Sequence, residues 1–355
     1  MATRASQPKT LAEIETRVAN GKLPAHRVAR MYYYHSGDFK TAMGLARQAY
    51  VDRPRSLELE EIGNLLVHSG QEFQARHTFL SCLMLYGRLH TTNLVLCDIP
   101  VARAFVDDER RLLYIAIPKN ASSTIKNYLS HCLDGETHGE QVHSKMLPHY
   151  RFVTPQDLAT RYADYFKFTV VRDPVDRIAS YYNRNVLDGA IQYCGYGMTE
   201  FQGLPSMPSP AQFMKNLNAY RRYFLGVRHH TDRQIKYLDG FLTKEAGLHV
   251  FGMGGVPTIR ARLAEAYACE IPDTRFMVGE ALKGPKPPKA DWTPLSDQFK
   301  RDYAMFGEVF AGTGDPTGPY QVIQKRNVRP VYFNAHAEPF DANDLEDMDE
   351  VDGAA

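Results

Sequence analysis

Two short stretches of the chain carry side chains suited to holding phosphate-like anions, and a scatter of histidines near them could move a proton. The first stretch, "LLYIAIPKNASSTIKNY" (112–128), climbs an apolar run to Pro118 and Lys119. It then breaks into Asn120, Ala121, Ser122, Ser123 and Thr124 before helix-like spacing resumes. A strand that ends in a tight turn and feeds a helix aims backbone N–H groups and the positive end of the helix dipole at one spot. Such a spot binds anions, phosphate above all. The second stretch, "VVRDPVDRIASYY" (170–182), puts Arg172 at a strand end and Ser180 about two turns into the next helix. Arginine offers a planar fork to a phosphate, and serine a hydroxyl donor. Alone, Lys-x-x-Ser-Ser reads as a helix cap and Arg-Asp-Pro as a turn; the two together, each at a strand end, point to a paired anion site. The first loop lacks the glycines of G-x-x-x-x-G-K-[ST], and its lysine comes first. Arg177, one turn along from Arg172, is expected to form an internal ion pair with an acid such as Asp173.

Histidine suits general-base work near neutral pH. His143 and His149 lie between the two stretches, and "RHHTDRQIKYL" (228–238) offers His230 and Gln234 as residues that could line a cleft for a second substrate, or as a solvated turn and helix. No spacing of Asp, Glu, His or Cys demands a metal ion.

These residues need strands and helices to hold them. "RLLYIAI" (111–117) and "FKFTVVRD" (166–173) read as buried parallel strands, with "TRFMVG" (274–279) as a third. Helices are expected over 123–133, after Thr154-Pro155, and over 174–187, where Pro174 takes the first helical position. More are expected over 211–225, 258–269 and 296–310. Strands alternating with helices predict an α/β domain with a P-loop-like, mainly parallel sheet flanked by helices. In such sheets ligands bind beyond the strand C-termini, where both loops fall.

Composition sets the bounds. The chain has 355 residues, 44% hydrophobic and 23% charged, which is ordinary for a soluble globular protein. Its five cysteines are scattered without a C-x-x-C, so a reducing compartment is expected rather than a disulfide framework or zinc site. The N-terminal segment has no apolar core of a secretory signal, and no run reaches the length of a membrane helix. The expectation is therefore a cytoplasmic protein with no membrane span, and nothing suggests nucleic acid as a partner. The segment 335–355 carries eight acidic residues and no Lys or Arg, against a net charge of +1 for the whole. It reads as a disordered acidic tail on a basic body.

Near the N-terminus, "HSGDFKTAMGLARQAYVDRP" (35–54) and "HSGQEFQARHTFLSCLMLYG" (68–87) repeat each other, with Gly37 over Gly70 and Ala42 over Ala75. Pro54 ends the first unit. The pattern resembles tetratricopeptide repeats over about residues 22–88. Two repeats cannot bury a solenoid core unaided, so they are expected to pack on the α/β domain, and they could recruit a protein partner. The division expected is 1–100 helical, 101–334 α/β and 335–355 tail.

The paired loops resemble those of the sulfotransferases that use 3′-phosphoadenosine 5′-phosphosulfate, closest to the carbohydrate sulfotransferases of the Golgi type and their bacterial relatives. "IPKNASSTIK" is similar to their 5′-phosphosulfate loop and "FTVVRDPVDRIASYY" to their 3′-phosphate element. "VHSKMLPHYRFVTPQDLATRYADYFKFTVVRDP" (142–174) and "SDQFKRDYAMFG" (296–307) extend the likeness over about residues 110–310. The resemblance implies this donor, no metal, and a hydroxyl acceptor on a carbohydrate. It implies Lys119 as a catalytic residue, with Asn120, Ala121, Ser122, Ser123 and Thr124 around the phosphosulfate and Arg172 and Ser180 on the 3′-phosphate. It also gives His143 the place of the base, with His149 close by. The cysteine-rich segments of animal members are missing and 188–260 matches loosely, which leaves the acceptor side open. Two other readings stand beside this one: a small-molecule kinase with a degenerate loop, and a non-catalytic nucleotide-binding protein that acts through its repeats.

Overall fold

A computed structural model describes residues 25–187, 198–273 and 290–312, together with 12–14, 16, 20 and 191. The expected strand at 274–279 and the acidic tail lie outside the described residues. Two helical hairpins come first: α1 (Ala25–Ser36) with α2 (Phe39–Asp52), and α3 (Ser56–His68) with α4 (Glu72–Tyr86), then the short α5 (Thr91–Cys97). Ala42 and Ala75 are fully buried between them. Gly37 and Gly70 turn the chain at φ +70° and +79°, where an L side chain would be strained. Gly63 of α3 lies against the Phe79 ring so closely that a Cβ there would sit 2.3 Å from it.

The sheet begins with β1 (Ala102–Asp107) and β2 (Leu112–Ile115), an antiparallel hairpin with Ala104 opposite Ile115. After β2 come α6 (Ser122–Asp134), the single turn α7 (Val142–Lys145), β3 (Tyr150–Val153), α8 (Pro155–Ala159) and β4 (Phe166–Val170). Next are α9 (Pro174–Tyr181), a two-residue-strand hairpin of β5 (Glu200–Phe201) and β6 (Leu204–Pro205), and α10 (Pro210–Tyr223). The chain continues through α11 (Leu225–Thr231), α12 (Gln234–Tyr237), β7 (His249–Phe251), α13 (Val256–Tyr267) and α14 (Lys300–Phe310). The five-stranded order is β3-β1-β2-β4-β7. β2 and β4 pair in parallel, as do β4 and β7, whereas β1 is antiparallel to both its neighbours. The sheet is thus mixed, its parallel half at β2, β4 and β7.

Both faces of the sheet are covered, which is why β2 reads as an unbroken apolar run. Leu112 and Tyr114 pack with Phe168 and Phe251 under Ile125 and Leu129 of α6 and Ile259 of α13. Leu113 and Ile115 face the other way, toward Leu158, Ile235, Phe241 and Phe306. Local signals in the sequence start several helices: Thr154 and Asp157 form a reciprocal cap on α8, and Ser209 and Gln212 do so on α10. Lys167 is buried, and its ammonium donates to the carbonyls of Leu158, Tyr162 and Ala163 behind α8.

The helical hairpins pack on the rest of the chain. One buried cluster joins Ala29, Tyr33, Tyr34, Met43 and Leu65 to Ile178, Phe201, Phe213, Tyr220 and Trp292, so the core runs straight across residue 100. Among the described residues no helix is long and apolar enough to cross a membrane.

Candidate active site

The loops after β2 and β4 leave neighbouring parallel strands at the same edge of the sheet. Lys119 and Ala121 both take left-handed backbone, φ +65° and +58°, one residue apart around Asn120. Non-glycine residues rarely adopt this conformation, and alternation of this kind turns successive N–H groups toward one point. Ala121 then begins α6 with no side-chain cap on its first turn. The first-turn amides of Ser122, Ser123 and Thr124 therefore face the same side as the loop, an anion-binding end of a helix.

A buried amide pair joins this loop to the second. Asn120, fully buried, donates from Nδ2 to the Val170 carbonyl at 2.9 Å and to Gln234 Oε1 at 2.6 Å. Gln234, also fully buried, accepts from the Arg172 N–H at 2.9 Å and donates to the Arg172 carbonyl at 2.7 Å. The Asp302 carboxylate of α14 holds the Gln234 and Ile235 N–H groups at 2.8 and 3.0 Å. Gln234 thus stands behind both loops as a brace. Sequence reading put it on the acceptor side; its neighbours here are Asn120, Arg172 and Asp302. The brace gives a prediction: Gln234→Leu leaves the buried polar atoms of Arg172 unpaired and should lower unfolding free energy by about 2–4 kcal/mol. Chemical denaturation measures it. Unchanged stability together with a raised KM for the acceptor would instead mean that Gln234 touches substrate.

Arg172 reaches back across the gap, its Nη1 3.4 Å from the Lys119 carbonyl. Burial pulls its guanidinium below the ordinary value, with Asp176 and Asp173 opposing, and it stays charged at neutral pH. Arg177 departs from expectation. It makes no ion pair with Asp173; its guanidinium donates to the carbonyls of Pro118 (2.9 Å), Asp232 and His229 (3.4 Å). Asp173 instead caps α9 at the Val175 and Asp176 N–H groups and accepts from the Tyr303 hydroxyl at 3.2 Å. A backbone cluster of carbonyls satisfies arginine as well as a carboxylate does, and the short cap side chain has nearer donors. Ser180 lies half-buried near the end of α9.

His143 meets the first loop directly. Its Nε2 lies 3.0 Å from Ser123 Oγ, and its Nδ1 2.8 Å from Lys126 Nζ. An ammonium only donates, so Nδ1 accepts from Lys126 and the neutral ring carries its proton on Nε2, donating to Ser123. Lys126, then burial, then Lys119 hold the imidazole well below its ordinary pKa. Asn127, fully buried, fixes the segment that leads to His143 by accepting from the His138 and Gly139 N–H groups at 2.9 Å. His230 comes to the same edge from α11, stacked on Tyr181 with ring centroids 5.1 Å apart, while Lys119 Nζ lies 5.8 Å from that Tyr181 ring. Its Nδ1 is buried without a hydrogen-bond partner, and burial and Lys119 keep the ring neutral. His149 is not part of this group. Its ring packs 5.6 Å from the Phe105 ring and feels Asp107 and Asp134, whereas the contacts of His143 are with Ser123 and Lys126.

Sequence reading missed Lys126, Asn127, and the bracing roles of Asn120 and Asp302. The two asparagines on the first loop and helix were visible as residues, but the partners of Asn120 lie 50 and 114 positions along the chain, and the N–H groups that Asn127 accepts from fall in the loop after α6. No curated protein and no solved structure matches the chain. Residues 102–238, from the first strand of the sheet through both loops to the helix that carries Gln234, match the model of the sulfotransferase family, which supports sulfuryl transfer as the chemistry of this site.

Proposed function

We propose that the chain transfers a sulfuryl group from 3′-phosphoadenosine 5′-phosphosulfate to a hydroxyl, in our reading that of a carbohydrate. The carrying observation is the contact between the two loops: the left-handed Lys119–Ala121 turn with its uncapped helix start, and Arg172 within 3.4 Å of its backbone. Two anion sites this close suit one molecule with a phosphate at each end of a nucleoside. Lys119 and the amides of Asn120, Ala121, Ser122, Ser123 and Thr124 face the phosphosulfate, where charge develops as the sulfur–oxygen bond breaks. Arg172 and Ser180 hold the 3′-phosphate and so select this donor.

His143 takes the acceptor's proton. The lone pair available for it is that of Nδ1, held by Lys126 in the free protein, so an arriving hydroxyl displaces the ammonium toward the anionic donor. The positive charges that depress the imidazole are those a bound polyanion offsets, and its basicity recovers on binding. His230, neutral and beside Lys119, lines the acceptor side.

Thermal melting tests the donor. The product 3′-phosphoadenosine 5′-phosphate, without added metal, should raise Tm by a ligand-concentration-dependent amount, about 2.7 kcal/mol of added stability at a hundred times its Kd. ATP with magnesium should do much less. Stabilisation by ATP with magnesium and none by the bisphosphate would turn the assignment to a kinase.

A further inference from the structure

Cys132 and Cys269 are 137 positions apart, yet their sulfurs lie 3.4 Å from each other, both half-buried. Cys132 is in the last turn of α6, whose first turn forms the anion loop. Cys269 comes just after α13, which ends on Ala268 in left-handed backbone at φ +50°. That reversal lets the Cys269 N–H bond back to the Ala264 carbonyl at 3.1 Å and swings its side chain onto α6. A left-handed alanine is an uncommon conformation that surrounding contacts must impose. Two of those contacts flank the pair: His131 Nε2 lies 3.0 Å from the Glu270 carbonyl, and the Tyr267 hydroxyl donates to Asp107 at 2.6 Å.

We infer that Cys132 and Cys269 are a site of covalent modification, closing a disulfide that ties the end of α6 to the end of α13. The sulfurs have to approach by about 1.4 Å to reach bonding distance, a shift within reach of small side-chain rotations. The reaction is exchange with a small-molecule disulfide. One cysteine thiolate attacks a sulfur of that disulfide and releases the first small thiolate. The second cysteine thiolate then attacks the protein sulfur of the mixed disulfide, forms the Sγ–Sγ bond and releases the second. Two protons leave the two protein thiols, and the two electrons go to the small disulfide.

Burial and the neighbouring Cys269 sulfur push the Cys132 thiol up. A sulfur that poorly bears charge is a poor leaving group, so the closed bond resists reduction by thiols. It closes a loop of more than a hundred residues, the range in which a cross-link restricts the unfolded chain most. Among the described residues, Cys82 and Cys97 are the other cysteines, and both are fully buried, out of reach of a small-molecule disulfide, whereas Cys132 and Cys269 are only half-buried.

The test uses the full chain with all five cysteines. The folded protein is incubated with oxidised glutathione, quenched in acid, alkylated, digested and read by mass spectrometry. Expected is one cross-linked peptide pair joining Cys132 to Cys269, lost on treatment with a phosphine reductant, and a Tm raised by on the order of 5 °C or more in the oxidised form. Cys269→Ser should keep the Tm of the reduced wild-type and lose the response to the oxidant. Recovery of both thiols alkylated after oxidation, or a Cys132–Cys269 link that forms only in urea, overturns the assignment.

Discussion

Lys119→Ala is expected to lower kcat about 100- to 1,000-fold, the usual effect of removing one donor aimed at charge that develops in the transition state. Affinity for the intact phosphosulfate donor should change far less, because the lysine's contact strengthens only as the leaving oxygen gains charge. The substitution is structurally mild. Lys119 already sits at φ +65°, and alanine meets the same backbone strain as lysine there, with no new clash. Arg172→Ala makes the complement: the 3′-phosphate takes no part in bond breaking, so donor affinity should fall about 10- to 100-fold, as for a lost charged hydrogen bond, with little change in kcat at saturation. Steady-state kinetics with both substrates varied separates the two. Normal turnover by Lys119→Ala would end the catalytic reading of this loop, whereas bisphosphate binding with no turnover by the wild type would leave a nucleotide-binding interaction protein.

The parts of the fold that were legible in the sequence are those encoded locally. β2 and β4 are buried on both faces, so "LLYI" and "FKFTV" stand out as apolar runs; Pro174 marks a helix start by its fixed backbone angle, and Asp173, Thr154 and Ser209 mark starts by side chains that bond within three residues. β3 and β7, four and three residues long, are too short to show a period. β1 carries Arg103 near its start and pairs antiparallel, which turned a mainly parallel expectation into a mixed sheet. In the site, the loop residues were readable because strand, turn and helix start are consecutive in sequence. The brace was not. Asn120 and Gln234 are 114 positions apart, and Asp302 lies 68 beyond Gln234. A lone Gln in "RHHTDRQIKYL" carries no mark of burial, and only the fold shows that it holds Arg172. The approach of Cys132 to Cys269 was hidden in the same way: the two are scattered in sequence, and only the meeting of two helix ends brings their free thiols together.

His143→Ala is expected to cut kcat about a hundredfold or more, the contribution of a positioned general base, while bisphosphate affinity is kept. The pH profile is the sharper readout. A base loses function as it becomes protonated, so the acid limb of the rate tracks the histidine pKa. In the free protein Lys126 and Lys119 disfavour the imidazolium. The limb in kcat/KM for the donor, which reports the free protein, should therefore lie well below the ordinary histidine value of about 6.5. At saturating donor the added negative charge favours the imidazolium, and the limb in kcat should move to higher pH. Lys126→Met removes the nearest positive charge, 2.8 Å from Nδ1, so its kcat/KM limb should also move to higher pH, toward the ordinary range. His143→Ala should lose the limb altogether. His149→Ala should leave rate and profile near wild type, since that ring packs on Phe105 rather than on Ser123 and Lys126. Full activity of His143→Ala with an unchanged acid limb would move the base elsewhere. His230 would then be the group to test, as a neutral ring beside Lys119 whose Nδ1 has no partner.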